Sequence, residues 1–320
     1  MIYENGKRYY SLNSYLKKTF NCKVYKIALD GGMTCPNRDG TLGTDGCIFC
    51  LDGSGEFAAK MQNEESIFQQ IEEGKQRLQS KLGTHPVKYI AYFQAYTNTY
   101  AKIEYLEKLF FTAISHPEIS ALSIATRPDC ISSETLELLY RLNKVKPVWI
   151  ELGLQTIHEE SADYIRRGYS LSCFEKCFSA LRELGIPVIA HVILGLPNEN
   201  EKMMLETVRY LGKNKIDGIK LQLLHILKGT KLADIFHKGD YSPMEKNFYI
   251  DLIVKCLEIL PPQTVVHRLT GDGPKAKLLA PLWSSDKRPV LQQIEKRLES
   301  LDSYQGKYST LISDTISEHI

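Results

Sequence analysis

The chain lacks the features that would commit it to a membrane, a secreted scaffold or nonspecific binding of polyanions. No apolar run reaches the ~18–20 residues of a bilayer-crossing helix. The opening MIYENGKRYY is charged and has no apolar h-region, so no signal peptide is expected. Neither sign of charge is in excess: 40 Lys and Arg face 38 Asp and Glu in 320 residues, which excludes a polycationic tail as the means of holding nucleic acid. Eight cysteines fall at irregular spacings rather than in a disulfide framework, so a reducing, cytoplasmic setting is expected. The length suits one large α/β barrel or two domains, with a substantial buried core.

What is present is a cysteine loop. In GGMTCPNRDGTLGTDGCIFC, Cys35, Cys47 and Cys50 are spaced C-x11-C-x2-C, and Pro36 with several glycines keeps the loop out of helix and strand so that it can wrap a ligand. A [4Fe–4S] cluster normally takes four thiolates, so three from one loop leave one iron open to another ligand. Phe49, between the last two cysteines, is placed to shield such a cluster. The same C-x2-C is also half of a zinc knuckle, and the loop alone leaves both readings open. Cys22, Cys130, Cys173, Cys177 and Cys256 read as packing residues.

Along the chain, strand-like runs at 24–30, 87–94, 119–126, 147–155, 187–197, 218–227 and 264–269 alternate with amphipathic stretches at 66–82, 103–114, 132–144, 170–185, 200–213 and 242–260. Ser132 or Ser133 with Glu134 and Glu137 marks a helix start, and Gly185 before Ile186-Pro187 a stop. Apolar strands alternating with helices predict a parallel sheet with right-handed crossovers, and six or seven units fit an α/β fold of partial (β/α)6 barrel type. Its expected limits are 24–270, with an N-terminal basic and aromatic extension over 1–30 and a C-terminal extension over 271–320. In such barrels the chemistry gathers at the C-terminal strand ends. There the sequence places Gln94 to Tyr100, Thr126 to Asp129, Glu151 to Thr156, His191, Gly195 to Pro197, Lys220, Gln222, His225, and His267 to Gly273. Burying so many polar groups without ligand or mutual partners would be costly, so they point to one pocket.

Taken together, the cysteine loop, TNTY (97–100), RPD (127–129), ELGLQT (151–156), RRGYS (166–170), HVILGLP (191–197), the KGT at 228–230 and HRLTGDGP (267–274) resemble the Elp3-like group of radical SAM enzymes, and within it the compact bacterial YhcC/YtqA-type family. The resemblance runs from about residue 5 to about residue 275; the stretch after it is too short for the acetyltransferase domain of Elp3 itself, so no acetyl-CoA reaction is expected. It implies a [4Fe–4S] cluster on Cys35, Cys47 and Cys50, with S-adenosyl-L-methionine on the fourth iron and one electron releasing a 5′-deoxyadenosyl radical. It further implies Gln94, Thr97 and Asn98 for the methionyl moiety, and Glu151 and Gln155 for the ribose or methionyl end. Arg167 is expected at the carboxylate, with Arg166 or a solvated helix-end charge as the alternative. Gly195 and Pro197 would admit backbone to the adenine, with Leu194 packed against it.

For the substrate, the resemblance implies a tRNA wobble uridine, with 5-carboxymethylaminomethyluridine converted to 5-aminomethyluridine. Lys220, Gln222, His225, His267, Arg268 and Asp272 are the candidates for its carboxylate and uracil edge. Lys7, Arg8, Lys17, Lys18, Lys23 and Lys26 interleave with Tyr9, Tyr10, Tyr15, Phe20 and Tyr25, a pattern of cations and stacking platforms suited to single-stranded RNA, although charge runs also mark solvated faces. An electron donor such as flavodoxin or ferredoxin is expected. Two other readings stand beside this one: a radical SAM enzyme acting on a small metabolite or peptide, and a non-catalytic iron–sulfur or zinc protein.

Overall fold

The computed structural model describes residues 2–3, 6–51, 67–81, 86–271 and 273–309; Asp272 and the end of the C-terminal extension lie outside them. The first half runs α1 (Leu12–Phe20), β1 (Lys23–Leu29), α2 (Ile67–Leu78), β2 (Val87–Phe93), α3 (Ile103–Ser115), β3 (Ile119–Thr126), α4 (Ser133–Val145) and β4 (Val148–Gln155). Then follow α5 (Glu159–Tyr164), α6 (Leu171–Glu183), β5 (Val188–Leu194), α7 (Glu201–Lys213) and β6 (Gly218–Leu223). The chain closes with β7 (Ile226–Leu227), α8 (Lys231–His237), α9 (Lys246–Ile259), β8 (Val265–Arg268), β9 (Leu278–Ala280) and α10 (Lys287–Ser300). No helix of the described residues is long and apolar enough to cross a membrane.

Two compact units result. The first comprises residues 16–153 and 168–188, the second residues 1–15, 154–167 and 189–320. In the first, β1, β2, β3 and β4 pair in parallel and in chain order. The interiors of β2, β3 and β4 are buried nearly throughout, as expected of parallel strands covered on both faces, whereas β1 buries Val24, Ile27 and Leu29. The covering helices begin where the sequence supplies acceptors: Ser132 and Ser170 accept from the amides of Thr135 and Cys173, each cap worth about 1 kcal/mol. Helix α2 meets β1 so closely that a Cβ on Gly74 would lie 2.3 Å from Ile27 Cγ2.

In the second unit β5, β6 and β8 are parallel. The run 218–227, expected as one strand, divides: β6 stops at Leu223, and β7 pairs antiparallel with β9, which offers it a partner outside the parallel sheet. Helices α1, α5, α8 and α10 lie beyond the six helical stretches read from sequence. In α10 the buried Val290, Ile294 and Leu298 form a stripe at four-residue spacing, a signal masked by its charged neighbours.

The N-terminal segment and the C-terminal extension close on each other within this unit. Val266 N–H donates to Tyr10 O, Gln305 N–H to Arg8 O, and Tyr10 N–H to Gln305 Oε1 (2.9 Å). The Gln305 amide then donates to Pro261 O (2.7 Å) and Thr264 O (2.8 Å), with the whole side chain buried. Replacing Gln305 by Ala removes the partner of three backbone groups, the Thr264 carbonyl buried and the other two partly so, at ~1–3 kcal/mol for a buried group left unpaired. We expect a clear fall in the urea unfolding midpoint, whereas Lys296→Ala on the exposed face of α10 stays within about 0.5 kcal/mol of the parent.

Candidate active site

In the first unit the cysteine loop leaves β1 and folds on its own backbone. Arg38 and Asp39 N–H groups donate to Cys35 O, Leu42 N–H to Pro36 O, Gly46 N–H to Asn37 O, and Cys50 N–H to Cys47 O. Arg38 ties the two arms together, its Nη2 donating to Cys50 O (2.8 Å) and Leu51 O (2.9 Å). Gly46 has φ +72°, and a Cβ there would lie 2.9 Å from that guanidinium, so the position requires glycine.

All three cysteines are half-buried. Burial pushes the Cys47 thiol up to about 12, and the neighbouring Cys50 and Cys35 push the same way. Such thiols ionise readily only against a strong positive charge, which a metal centre supplies. Three ligands of one zinc at ~2.3 Å would sit roughly 3.8 Å apart. Among the described residues, the trio whose ligand atoms all fall within 4.8 Å of one another is Glu72, His116 and Glu118, not the cysteines. The three cysteine sulfurs are therefore not drawn together as tightly as ligands of one zinc ion. In the other trio Lys75 already donates to both Glu72 and Glu118.

Around the loop, the segment after β2 supplies the expected polar groups. Thr97 N–H donates to Thr34 O, joining this segment to the cysteine loop. Tyr96 turns the chain at φ +57°. Buried Asn98 donates its amide to Phe93 O (3.2 Å) and Ala125 O (2.7 Å), which leaves Oδ1 without a protein donor. Gln94 sits half-buried at the end of β2.

Glu151 is fully buried and accepts from Lys26 Nζ (2.6 Å) and Ser123 (2.9 Å) at Oε1 and from the Tyr92 hydroxyl (2.8 Å) at Oε2. Lys26, one of the interleaved cations, thus faces inward. The signal was available: it is the lone charge within KIAL, in a strand of alternating burial. Arg127 donates through Nε and Nη2 to Asp129 and directs Nη1 at Cys35 Sγ, 3.9 Å away.

The remaining candidates lie in the second unit. Buried Arg167 donates through Nη1 to Leu154 O (3.0 Å) and Thr156 O (2.7 Å), and through Nη2 to Glu159 (2.9 Å), bracing the end of β4. Arg166 is exposed at φ +57°, and half-buried Gln155 has φ +63°. Gly195 (φ +89°) accepts from the Tyr241 hydroxyl (2.6 Å) and donates to Met204 Sδ (3.1 Å), partners that the sequence reading missed. Leu194 and Pro197 are buried beside it.

His191, Lys220 and Arg268 occupy neighbouring register positions on β5, β6 and β8. Gln222 is two residues further along β6. His225 meets Ser284 Oγ at 3.1 Å, and Cβ atoms on Gly271 or Gly273 would collide with its ring. The His267 ring packs against Gly218 in the same way. Of the N-terminal aromatics, Tyr9 is buried and Tyr3 stacks on Tyr10, while Lys7 and Arg8 pair with Glu295 and Asp302.

Parallel strands feeding a loop of three cysteines are the architecture of an α/β enzyme whose loop suits an iron–sulfur centre. A profile of the radical SAM superfamily matches residues 35–211, and one of the radical SAM C-terminal domain matches residues 216–300. The chain is 43% identical over 303 residues to YtqA of Bacillus subtilis, covering 94% of this chain and 93% of that one. It is 27% identical over 157 residues to a tRNA uridine(34) acetyltransferase of Methanocaldococcus jannaschii, covering 48% of this chain and 28% of that protein. The fold matches the archaeal Elp3 of Methanocaldococcus infernus with a TM-score of 0.68 at 19% identity, over 89% of this chain and 64% of that one.

The chain belongs to the radical SAM superfamily, in its Elp3-like group. Enzymes of the superfamily use a [4Fe–4S] cluster and S-adenosylmethionine. Cys35, Cys47 and Cys50 are the residues that would hold that cluster. Cys47→Ala should abolish most of the bound iron after anaerobic reconstitution. Cys130→Ala should keep it, because Cys130 lies outside the C-x11-C-x2-C loop, in the turn Pro128–Cys130 that follows β3. Iron and sulfide analysis of both variants checks this.

Proposed function

We propose that the enzyme acts on the wobble uridine of tRNA, converting 5-carboxymethylaminomethyluridine to 5-aminomethyluridine. The observation that carries the reading is the row His191, Lys220 and Arg268 on adjacent parallel strands, where cations side by side suit a carboxylate. The relative named as a tRNA uridine(34) acetyltransferase supports the choice of tRNA.

When bound and reduced by a donor such as flavodoxin or ferredoxin, the cluster with S-adenosylmethionine supplies a 5′-deoxyadenosyl radical. Protein residues bind and orient the substrate and exclude water. In the substrate, one hydrogen leaves the glycine-like methylene and appears in 5′-deoxyadenosine. The carbon radical is stabilised by the adjoining nitrogen and carboxylate. It gives one electron to a one-electron acceptor and the N–H proton to solvent, forming a C=N bond. Water adds to that carbon, the C–N bond breaks, and the amine and glyoxylate separate. Arg268 and Lys220 hold the carboxylate, and Gln222, His225 and His267 face the uracil edge. Exposed Lys17, Lys18 and Lys23 contribute phosphate contacts.

The test is anaerobic turnover with dithionite, S-adenosylmethionine and tRNA from a strain lacking the gene. Deoxyadenosine should rise with tRNA alongside new 5-aminomethyluridine, and deuterium on the methylene should enter deoxyadenosine. Deoxyadenosine indifferent to tRNA would point to a small metabolite or peptide instead. Arg268→Ala should keep the iron content while losing a charge-assisted contact of ~1.5–3 kcal/mol, or roughly 10–100-fold in kcat/KM for tRNA. Unchanged modification would remove Arg268 from this role.

A further inference from the structure

We infer that Arg127 is a positioning residue that raises the reduction potential of the iron–sulfur centre from outside its ligand set. Three features of the first unit carry this. The guanidinium is oriented by its own chain: the turn Pro128–Cys130 brings Asp129 back so that both carboxylate oxygens accept, from Nε at 2.9 Å and Nη2 at 2.7 Å. That fork consumes one edge of the planar group and leaves the opposite nitrogen, Nη1, directed at Cys35 Sγ.

The group is also caged. The Tyr169 ring lies 4.9 Å from the guanidinium carbon, and the tyrosine hydroxyl is anchored on Gly153 O (3.0 Å). Gly168, at φ +83°, presses in where a Cβ would lie 3.3 Å from Arg127 Nη2 and 2.8 Å from Asn37 Oδ1. Arg127 is 8% exposed, so solvent screens its charge weakly. Finally, a second donor acts on another sulfur of the set: Asn37 Nδ2 reaches Cys47 Sγ at 3.4 Å. Gly168 thus packs both donors against the cysteine loop.

Cluster potentials follow net charge and hydrogen bonding at the sulfurs. Reduction adds one negative charge to the cluster, so a fixed cation and N–H donors beside the thiolates favour the reduced state. The Asp129 carboxylate, on the far side of the guanidinium, opposes this in part. Arg127 and Asp129 therefore act on the potential with opposite signs, a pattern that loop packing alone does not produce.

The inference rests on the three thiolates holding the cluster, which the iron content of Cys47→Ala tests separately, and it does not depend on the substrate. The experiment is an EPR-monitored redox titration of the full-length, reconstituted protein without turnover. Arg127→Met should shift the midpoint negative, by about 59 mV for each tenfold fall in the reduced-to-oxidised ratio of a one-electron couple. Arg127→Lys, which keeps the charge, should retain most of the parent potential. Asp129→Asn should shift the midpoint positive. An unmoved midpoint in iron-loaded Arg127→Met overturns the inference. Should that variant fail to hold iron, an unmoved or negative shift in Asp129→Asn does so instead.

Discussion

Glu151 carries a carboxylate with no access to solvent in the middle of a parallel sheet, and the first unit is arranged around making that tolerable. An unpaired ion there would cost several kcal/mol, and removing one partner of such a buried pair costs about 3–5 kcal/mol. Its partners come from each of the other three strands of the unit: Lys26 from β1, Tyr92 from β2 and Ser123 from β3. One ionised side chain therefore cross-links β1 through β4. Lys26 gains a second contact from the Tyr92 ring, 4.5 Å from its ammonium. Since the cysteine loop hangs from the end of β1, the position of the thiols follows from the strand that Glu151 holds.

The second unit meets a different constraint, the closing of a sheet edge. Strand β8 is only four residues long and pairs with β6 on one side. The backbone groups it leaves are met by Ser11 and Tyr10, and Gln305 links that segment to the turn before β8. The basic, aromatic N-terminus thus has a structural share as well as an exposed one. Tyr9 and the ion pairs of Lys7 and Arg8 belong to the packing, whereas Lys17, Lys18 and Lys23 remain on the surface.

Much of this was legible in the sequence, for a physical reason. Parallel strands buried on both faces read as continuous apolar runs, so all seven parallel strands were found within a few residues, along with the larger helices between them. The cysteine loop was legible from spacing and chemistry. Pairing was not. That Lys26 meets Glu151 across 125 positions, or that Arg167 braces backbone at Leu154 and Thr156, depends on register and crossover geometry that no local pattern encodes. Short elements such as α5, α8 and β7 escaped because their stability comes from tertiary neighbours rather than from propensity or periodicity.

Hydrogen-bond accounting also sorts the polar residues that the motifs brought forward. Arg167 donates through Nη1 to Leu154 and Thr156 and through Nη2 to Glu159, contacts that hold the end of β4. Glu151 is fully buried and already accepts at both oxygens, so a ribose hydroxyl would have to share an oxygen with a protein donor. Asn98 is the opposite case: its amide hydrogens are committed to Phe93 and Ala125, and its buried Oδ1 lacks a protein donor. A buried acceptor left open costs about 1–3 kcal/mol, which a donor from a bound ligand would recover. An acceptor there suits the methionyl ammonium of S-adenosylmethionine rather than its carboxylate, which makes Asn98 the more specific of the cofactor candidates and Arg167 the more structural.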